Sequence, residues 1–224
     1  MTQSPVSAPK SLLDPKRSVL VLMDYQPMTL FGVRSHDPQT VVNNVTALAK
    51  MGRAFDVPVI LTTIAGSTIG GEILPELQAL FPDQKPIDRS WINAWEDPAL
   101  RDAVLATGRD QIVMAGLWTE MCLAHPALHA REEGRQVYAV ADASGGVSEE
   151  AHSCAMQRMV QAGVVPLTTG VILGEFQRDW ARTETYDAVV EIARGHLGNF
   201  GQAANYYQTI TKLLNAAADA RHAA

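Results

Sequence analysis

The stretch SVLVLM, Ser18 to Met23, carries apolar side chains on both of its faces. A strand with one wet face alternates apolar and polar residues, so a strand without alternation needs cover on both sides. The runs VPVILTTI (Val57 to Ile64), IVMAGL (Ile112 to Leu117), VYAVA (Val137 to Ala141) and VVPL (Val164 to Leu167) read the same way. A weaker strand candidate lies near Pro86 to Asp88. The segments between these runs fit helices. Asp37-Pro38 is an N-cap followed by proline at the first helical position, with Val41, Val45 and Leu48 on one face and Gly52 as a stop signal. Thr119 is read as the cap of a second helix that stops near Gly134. Ser148 caps a third, with Glu149 and Glu150 in its first turn and Gly163 beyond its end. Strands and helices alternating at this spacing predict a three-layer α/β/α doubly wound fold, Rossmann-like, on a mainly parallel six-stranded sheet.

Residues 1–16, polar and rich in Pro and Ser, read as a flexible arm, and residues 17–182 as the α/β domain. Residues 183–224 continue in helical pattern without strong strands. A domain complete near residue 180 needs no further core, so this extension reads as an oligomer contact.

The whole chain has 224 residues, 18 basic against 24 acidic, a net charge of −6. That balance argues against nucleic acid as a partner, and no apolar run reaches the ~20 residues of a membrane span. Two cysteines, Cys122 and Cys154, make no disulfide framework, and the N-terminus has no apolar signal core. The expectation is a cytoplasmic protein with reduced thiols.

In open parallel sheets, ligands bind outside the carboxyl ends of the strands. Asp24 follows the first run, Arg89 the weak strand, and Gly116, Trp118 and Thr119 the IVMAGL run, with Cys122 just beyond. A thiol near a helix N-terminus is expected to have a lowered pKa and to serve as a nucleophile. The competing reading is a small buried hydrophobe, which suits Cys154 better. Asp24, half shielded after an apolar run, is a candidate proton shuttle. Trp91, Trp95 and Trp118 either wall an apolar pocket or fill the core. The glycine-rich GSTIGG, Gly66 to Gly71, lacks the phosphate-loop pattern and reads as a loop over the site.

The segment AGLWTEMCLAHPALHAREEG, Ala115 to Gly134, resembles the nucleophile segment of the isochorismatase-like cysteine hydrolases. RSWINAW (Arg89 to Trp95), DASGG (Asp142 to Gly146) and FQRDW (Phe176 to Trp180) resemble the YcaC-like branch of that family, and LMDYQ (Leu22 to Gln26) its first-strand aspartate motif. The resemblance implies a triad of Asp24, Arg89 and Cys122, with Arg89 where most of the family has lysine and Lys85 as the lesser candidate. It implies a cis peptide at Leu117–Trp118 and an oxyanion hole from the backbone N–H groups of Trp118 and Cys122. Gln26, Trp91, Asn93, Trp95 and Thr119 are its pocket candidates. The implied activity is hydrolysis of a small amide-like or ester substrate through a thioester. No cofactor is needed, and the implied assembly is a ring-stacked homo-oligomer, with an octamer as the candidate state.

No metal is expected. His125 and His129 are four apart, but Pro126 intervenes and no H-E-x-x-H surrounds them. The alternative to an enzyme is a catalytically silent oligomeric scaffold or binding protein that keeps the hydrolase fold. Arginine in the lysine position favours it, because arginine does not give up its proton.

Overall fold

A computed structural model describes residue 9 and residues 11–222, with the side chain of residue 222 outside that description. Six strands, β1 (Ser18–Met23), β2 (Val59–Ile64), β3 (Ile87–Arg89), β4 (Gln111–Gly116), β5 (Gln136–Val140) and β6 (Val165–Leu167), form one sheet in the order β3-β2-β1-β4-β5-β6. Every pairing is parallel. The helices are α1 (Pro27–Phe31), α2 (Pro38–Ala54), α3 (Pro75–Gln78), α4 (Pro98–Ala106), α5 (Ala124–Glu132), α6 (Glu149–Gln161), α7 (Thr169–Gln177), α8 (Thr183–His196) and α9 (Gly198–His222).

The sheet splits the core in two, and the strand alternation decides which residue goes where. Leu20 and Leu22 of β1 join Val41, Val45 and Leu48 of α2 on one face. Val19, Val21 and Met23 join Leu100 of α4, Ala127 of α5 and Met159 of α6 on the other. Both faces of β1 are therefore buried, as its unbroken apolar run requires. Among the described residues no helix is long and apolar enough to cross a membrane.

The helix caps follow the sequence at two places. The Asp37 side chain accepts from the Thr40 N–H and the Ser148 side chain from the Ala151 N–H. Gly52 has a different role from the one expected. α2 runs on to Ala54, and Gly52 lies buried where an added Cβ would strike the Val59 side chain of β2. Its missing side chain permits close packing of helix on sheet.

Two expected boundaries are corrected. Residues 1–8 and 10 lie outside the described residues, but the chain is docked before residue 17. Leu13 is fully buried, its N–H donates to Glu175, and the Asp14 N–H donates to Gln111. The core also extends past residue 182: Val189, Ile192 and Ala193 of α8 are buried in the cluster that holds α2 and α7. The extension is needed for the core as far as α8. α9 is different, exposing Phe200, Tyr206, Tyr207, Leu213 and Leu214.

Candidate active site

The strand order reverses direction between β1 and β4, and a crevice opens at such a switch point. Asp24 immediately follows β1, Arg89 ends β3, and Cys122 lies six residues beyond the end of β4. Parallel strands put all three on the same edge of the sheet.

Asp24 takes a left-handed backbone conformation, φ 61°. That region costs an L-residue roughly 1–2 kcal/mol, and such outliers gather at functional sites. Its N–H still donates to Thr62 O of β2 at 2.9 Å, so the sheet holds the backbone while the chain turns sharply. The carboxylate is sealed from solvent. Arg89 Nη2 donates to Asp24 Oδ2, and both side chains are fully buried. Arg89 Nη1 donates to the carbonyls of Trp91 and Ile92. The guanidinium is thus fixed by a carboxylate at one end and a loop at the other. Lys85 is exposed and stands before β3, so Arg89 occupies the cation position.

Asp24 Oδ1 is buried with no hydrogen-bond partner among the described residues, and the Cys122 thiol interacts with the same carboxyl group. Burial pushes the Asp24 carboxyl up to about 6, against the opposing pull of Arg89 and Cys122. Burial also pushes the Cys122 thiol up to about 12, and the adjacent Asp24 charge adds to this. The expectation of a lowered thiol pKa is therefore overturned. Cys122 does not sit at the start of an ordinary helix; it lies in a π-helical turn, Thr119–Leu123, that leads into α5. Burial and a neighbouring carboxylate outweigh any helix-end effect there. At neutral pH the resting pair is a carboxylate beside a protonated thiol.

The peptide Leu117–Trp118 is cis, where the family resemblance places it. The Trp118 N–H makes no backbone hydrogen bond among the described residues. The turn is braced by the DASGG loop: Thr119 N–H donates to Gly145 O at 3.0 Å, and Ser144 Oγ accepts from Gly116 N–H and donates to Val140 O. Tyr25, fully buried, donates from its hydroxyl to Ala143 O. Thr119 is also fully buried, and its hydroxyl meets His152 Nδ1 at 2.9 Å, so it anchors the turn and caps no helix.

The pocket candidates separate. Trp91 is half-exposed beside the Arg89 contact, and Trp118 is partly buried, its indole N–H donating to Thr29 O at 2.7 Å. Trp95 is buried in the core between Ala94, Leu100 and Val104. Asn93 accepts from the Trp95 N–H and pairs with Glu96 and His129, which commits its side chain to local structure. Gln26 is fully buried and fully engaged: Oε1 accepts from Ile64 N–H, and Nε2 donates to Ile64 O and Gly71 O. It fastens the glycine-rich turn to β2 and leaves no atom for a substrate. Asp88 grips the same turn through the N–H groups of Gly66 and Ser67. Among the described residues no group of three or more His, Cys, Asp or Glu is placed to hold a metal ion.

A carboxylate with one free oxygen, a fixed cation and a thiol at the switch point of a parallel sheet outline the class. The Isochorismatase domain model matches residues 18–171, and the chain belongs to the isochorismatase family. The probable hydrolase YcaC of Escherichia coli (strain K12) is 36% identical over 208 residues, covering 92% of this chain and 99% of that protein. The crystal structure of the E. coli YcaC gene product, an octameric hydrolase of unknown specificity, matches with a TM-score of 0.85 at 37% identity, covering 91% of this chain and 100% of that one. YcaC from Pseudomonas aeruginosa, with hexane-2,5-diol and covalent acrylamide, matches with a TM-score of 0.84 at 35% identity, covering 92% and 100%. Within the family the chain stands in the YcaC-like branch, and it is an isochorismatase-family hydrolase.

Proposed function

We propose that the chain is a cysteine-dependent hydrolase that cleaves a small amide-like or ester substrate through a thioester on Cys122. The observation that carries this reading is the Asp24 carboxyl interacting with the buried thiol, with Oδ2 held by Arg89 and Oδ1 unpartnered among the described residues. A general base needs one free lone pair and a fixed orientation, and the pair supplies both.

The chemistry runs as follows. Asp24 Oδ1 accepts the thiol proton as Cys122 Sγ attacks the substrate carbonyl carbon. A C–S bond forms and the carbonyl π pair moves onto oxygen. The N–H groups of Trp118 and Cys122 receive that oxyanion; preorganised donors of this kind are commonly worth ~3–4 kcal/mol each in the transition state. The oxyanion collapses, the C–N or C–O bond breaks, and the leaving group takes the proton from Asp24. Water then attacks the thioester, giving a proton to Asp24, and the acid departs as Sγ recovers that proton. Arg89 stays charged throughout and keeps the carboxylate aimed. The thiol at about 12 and the carboxyl at about 6 make a free thiolate rare, so proton transfer and attack are coupled.

Trp91 and Trp118 are the apolar side chains assigned to the acyl group in this reading. The covalent acrylamide in the P. aeruginosa relative supports a reactive nucleophile in this branch. The octamer of E. coli YcaC supports a homo-octamer here, with α9 as a contact element through its exposed aromatic and leucine side chains. The test is turnover of a panel of small amides, imides and esters by the wild type and by Cys122→Ala. The variant is expected to be inactive on every substrate found. Undiminished turnover by the variant would exclude the cysteine mechanism, whereas no turnover by the wild type across the whole panel would favour the scaffold reading.

A further inference from the structure

Thr29, on the short helix α1, is used by none of the steps above, yet it touches both halves of the site. Its hydroxyl lies on Asp24 O and on Gln26 O, the latter at 2.9 Å, and accepts from the Gln26 N–H at 3.3 Å. Its carbonyl accepts the indole N–H of Trp118 at 2.7 Å. Thr29 is itself buried. One residue therefore ties the backbone of the proposed base, at the position where the chain turns through φ 61°, to the residue that follows the cis peptide.

Packing narrows the freedom of this link. Gly32, just past the end of α1, is where an added Cβ would strike the Trp118 indole, so the end of α1 packs closely against the ring. Gln26, whose N–H donates to the Thr29 hydroxyl, is clamped to β2 and to Gly71. α1 cannot shift without moving Asp24, Trp118 or the glycine-rich turn.

We propose that Thr29 is a positioning residue that sets the distance between Asp24 and the Trp118–Cys122 turn, its hydroxyl holding the Asp24 backbone carbonyl and its own carbonyl the Trp118 indole. The proposal rests on the cysteine-hydrolase reading above. Base and oxyanion donors must serve one substrate carbonyl at once, and a misplacement of about 1 Å can lower such a rate by about a hundredfold. A hydroxyl on a buried helix turn ordinarily satisfies its own helix; here it reaches past the helix to the residue that carries the base.

The test uses the full-length protein and follows alkylation of Cys122 by iodoacetamide, read by mass spectrometry across the titration of Asp24. It needs no substrate. Thr29→Val keeps the shape and removes the hydroxyl; Thr29→Ser keeps the hydroxyl. The expected result is a Thr29→Val alkylation rate lower by about tenfold or more, with its pH inflection moved to higher pH because the carboxylate drifts from Arg89. Thr29→Ser should restore the wild-type rate and inflection. Circular dichroism and thermal melting verify that each variant folds. Should Thr29→Val fail to fold, Trp118→Phe, which removes the indole donor together with part of the ring against Gly32, is expected to give the same slowing. Asp24→Asn separates the two readings. If it abolishes the wild-type inflection while Thr29→Val, or Trp118→Phe in its place, matches the wild type, the positioning role is overturned and the hydrolase reading stands. If Asp24→Asn leaves the inflection in place, the base assignment fails and the role of Thr29 fails with it.

Discussion

Arg89 donates from Nη2 to Oδ2 of Asp24 with both side chains sealed from water, while Oδ1 has no partner among the described residues. The asymmetry divides the labour of one carboxylate. One oxygen is fixed by a cation that cannot lose its proton, and the other is left to accept one. Desolvation and the cation pull the carboxyl in opposite directions, and desolvation wins.

This balance sets the pH dependence of the reaction. Asp24 serves as base only when ionised, and its carboxyl titrates at about 6. For any substrate turned over at Cys122, kcat/KM should rise with pH through about 6 and then level off. A pH–rate profile checks this; a flat profile across that range would remove Asp24 from the proton path.

The same shift has a consequence for stability. The native carboxyl, at about 6, holds its proton more tightly than the ordinary carboxyl at 3.8. Stability from this group is complete below 3.8 and is lost as pH rises through about 6. Asp24→Asn removes the titration. Urea unfolding of the two proteins should show the asparagine variant gaining on the wild type by about 3 kcal/mol across that window.

Replacing the cation should act in the opposite sense on the base. Arg89→Met leaves Asp24 buried without a counter-charge, which moves its titration, and the acid limb of activity, to higher pH. Breaking a buried pair in this way typically costs about 3–5 kcal/mol above the carboxyl titration. Arg89→Lys keeps the charge but cannot span Asp24 and the Trp91 and Ile92 carbonyls together, so a smaller loss of stability is expected. Thermal melts and pH profiles of the two variants are the check.

The C-terminal extension divides at Leu197. A chain ending there keeps Val189, Ile192 and Ala193 in the core and loses α9 alone, so it should fold and fail to form the octamer proposed above. A chain ending at Arg182 exposes the cluster those residues close and should not fold. Size-exclusion chromatography and circular dichroism of the two truncations distinguish these outcomes.

The sheet was largely legible in the sequence because its strands are covered on both faces and their apolar runs are unbroken. β1 and β4 match their runs almost residue for residue, whereas β3 has three residues, half-exposed at the sheet edge, and left only a faint signal. Asp24, Arg89 and Cys122 were found by their places after strands and by resemblance. The state of the thiol was not legible, since spacing shows a nearby helix start but not the burial or the carboxylate against the sulfur. Gln26 and Asn93 were pocket candidates through the resemblance; here Gln26 satisfies backbone groups, and Asn93 a backbone N–H together with the Glu96 and His129 side chains. Thr29 carries no sequence signal at all, because its partners are five residues before it and 89 residues after it.

The thioester itself offers the most direct measurement. Cys122 and Cys154 are both free, one buried at the site and one exposed on α6, where the expectation of a buried Cys154 is overturned. Mass spectrometry of protein quenched during turnover of an amide or ester should find an acyl group on Cys122, none on Cys154, and none in Cys122→Ala. Turnover that persists in Cys122→Ala, or an acyl group found on Cys154 alone, would contradict the assignment of Cys122 as nucleophile.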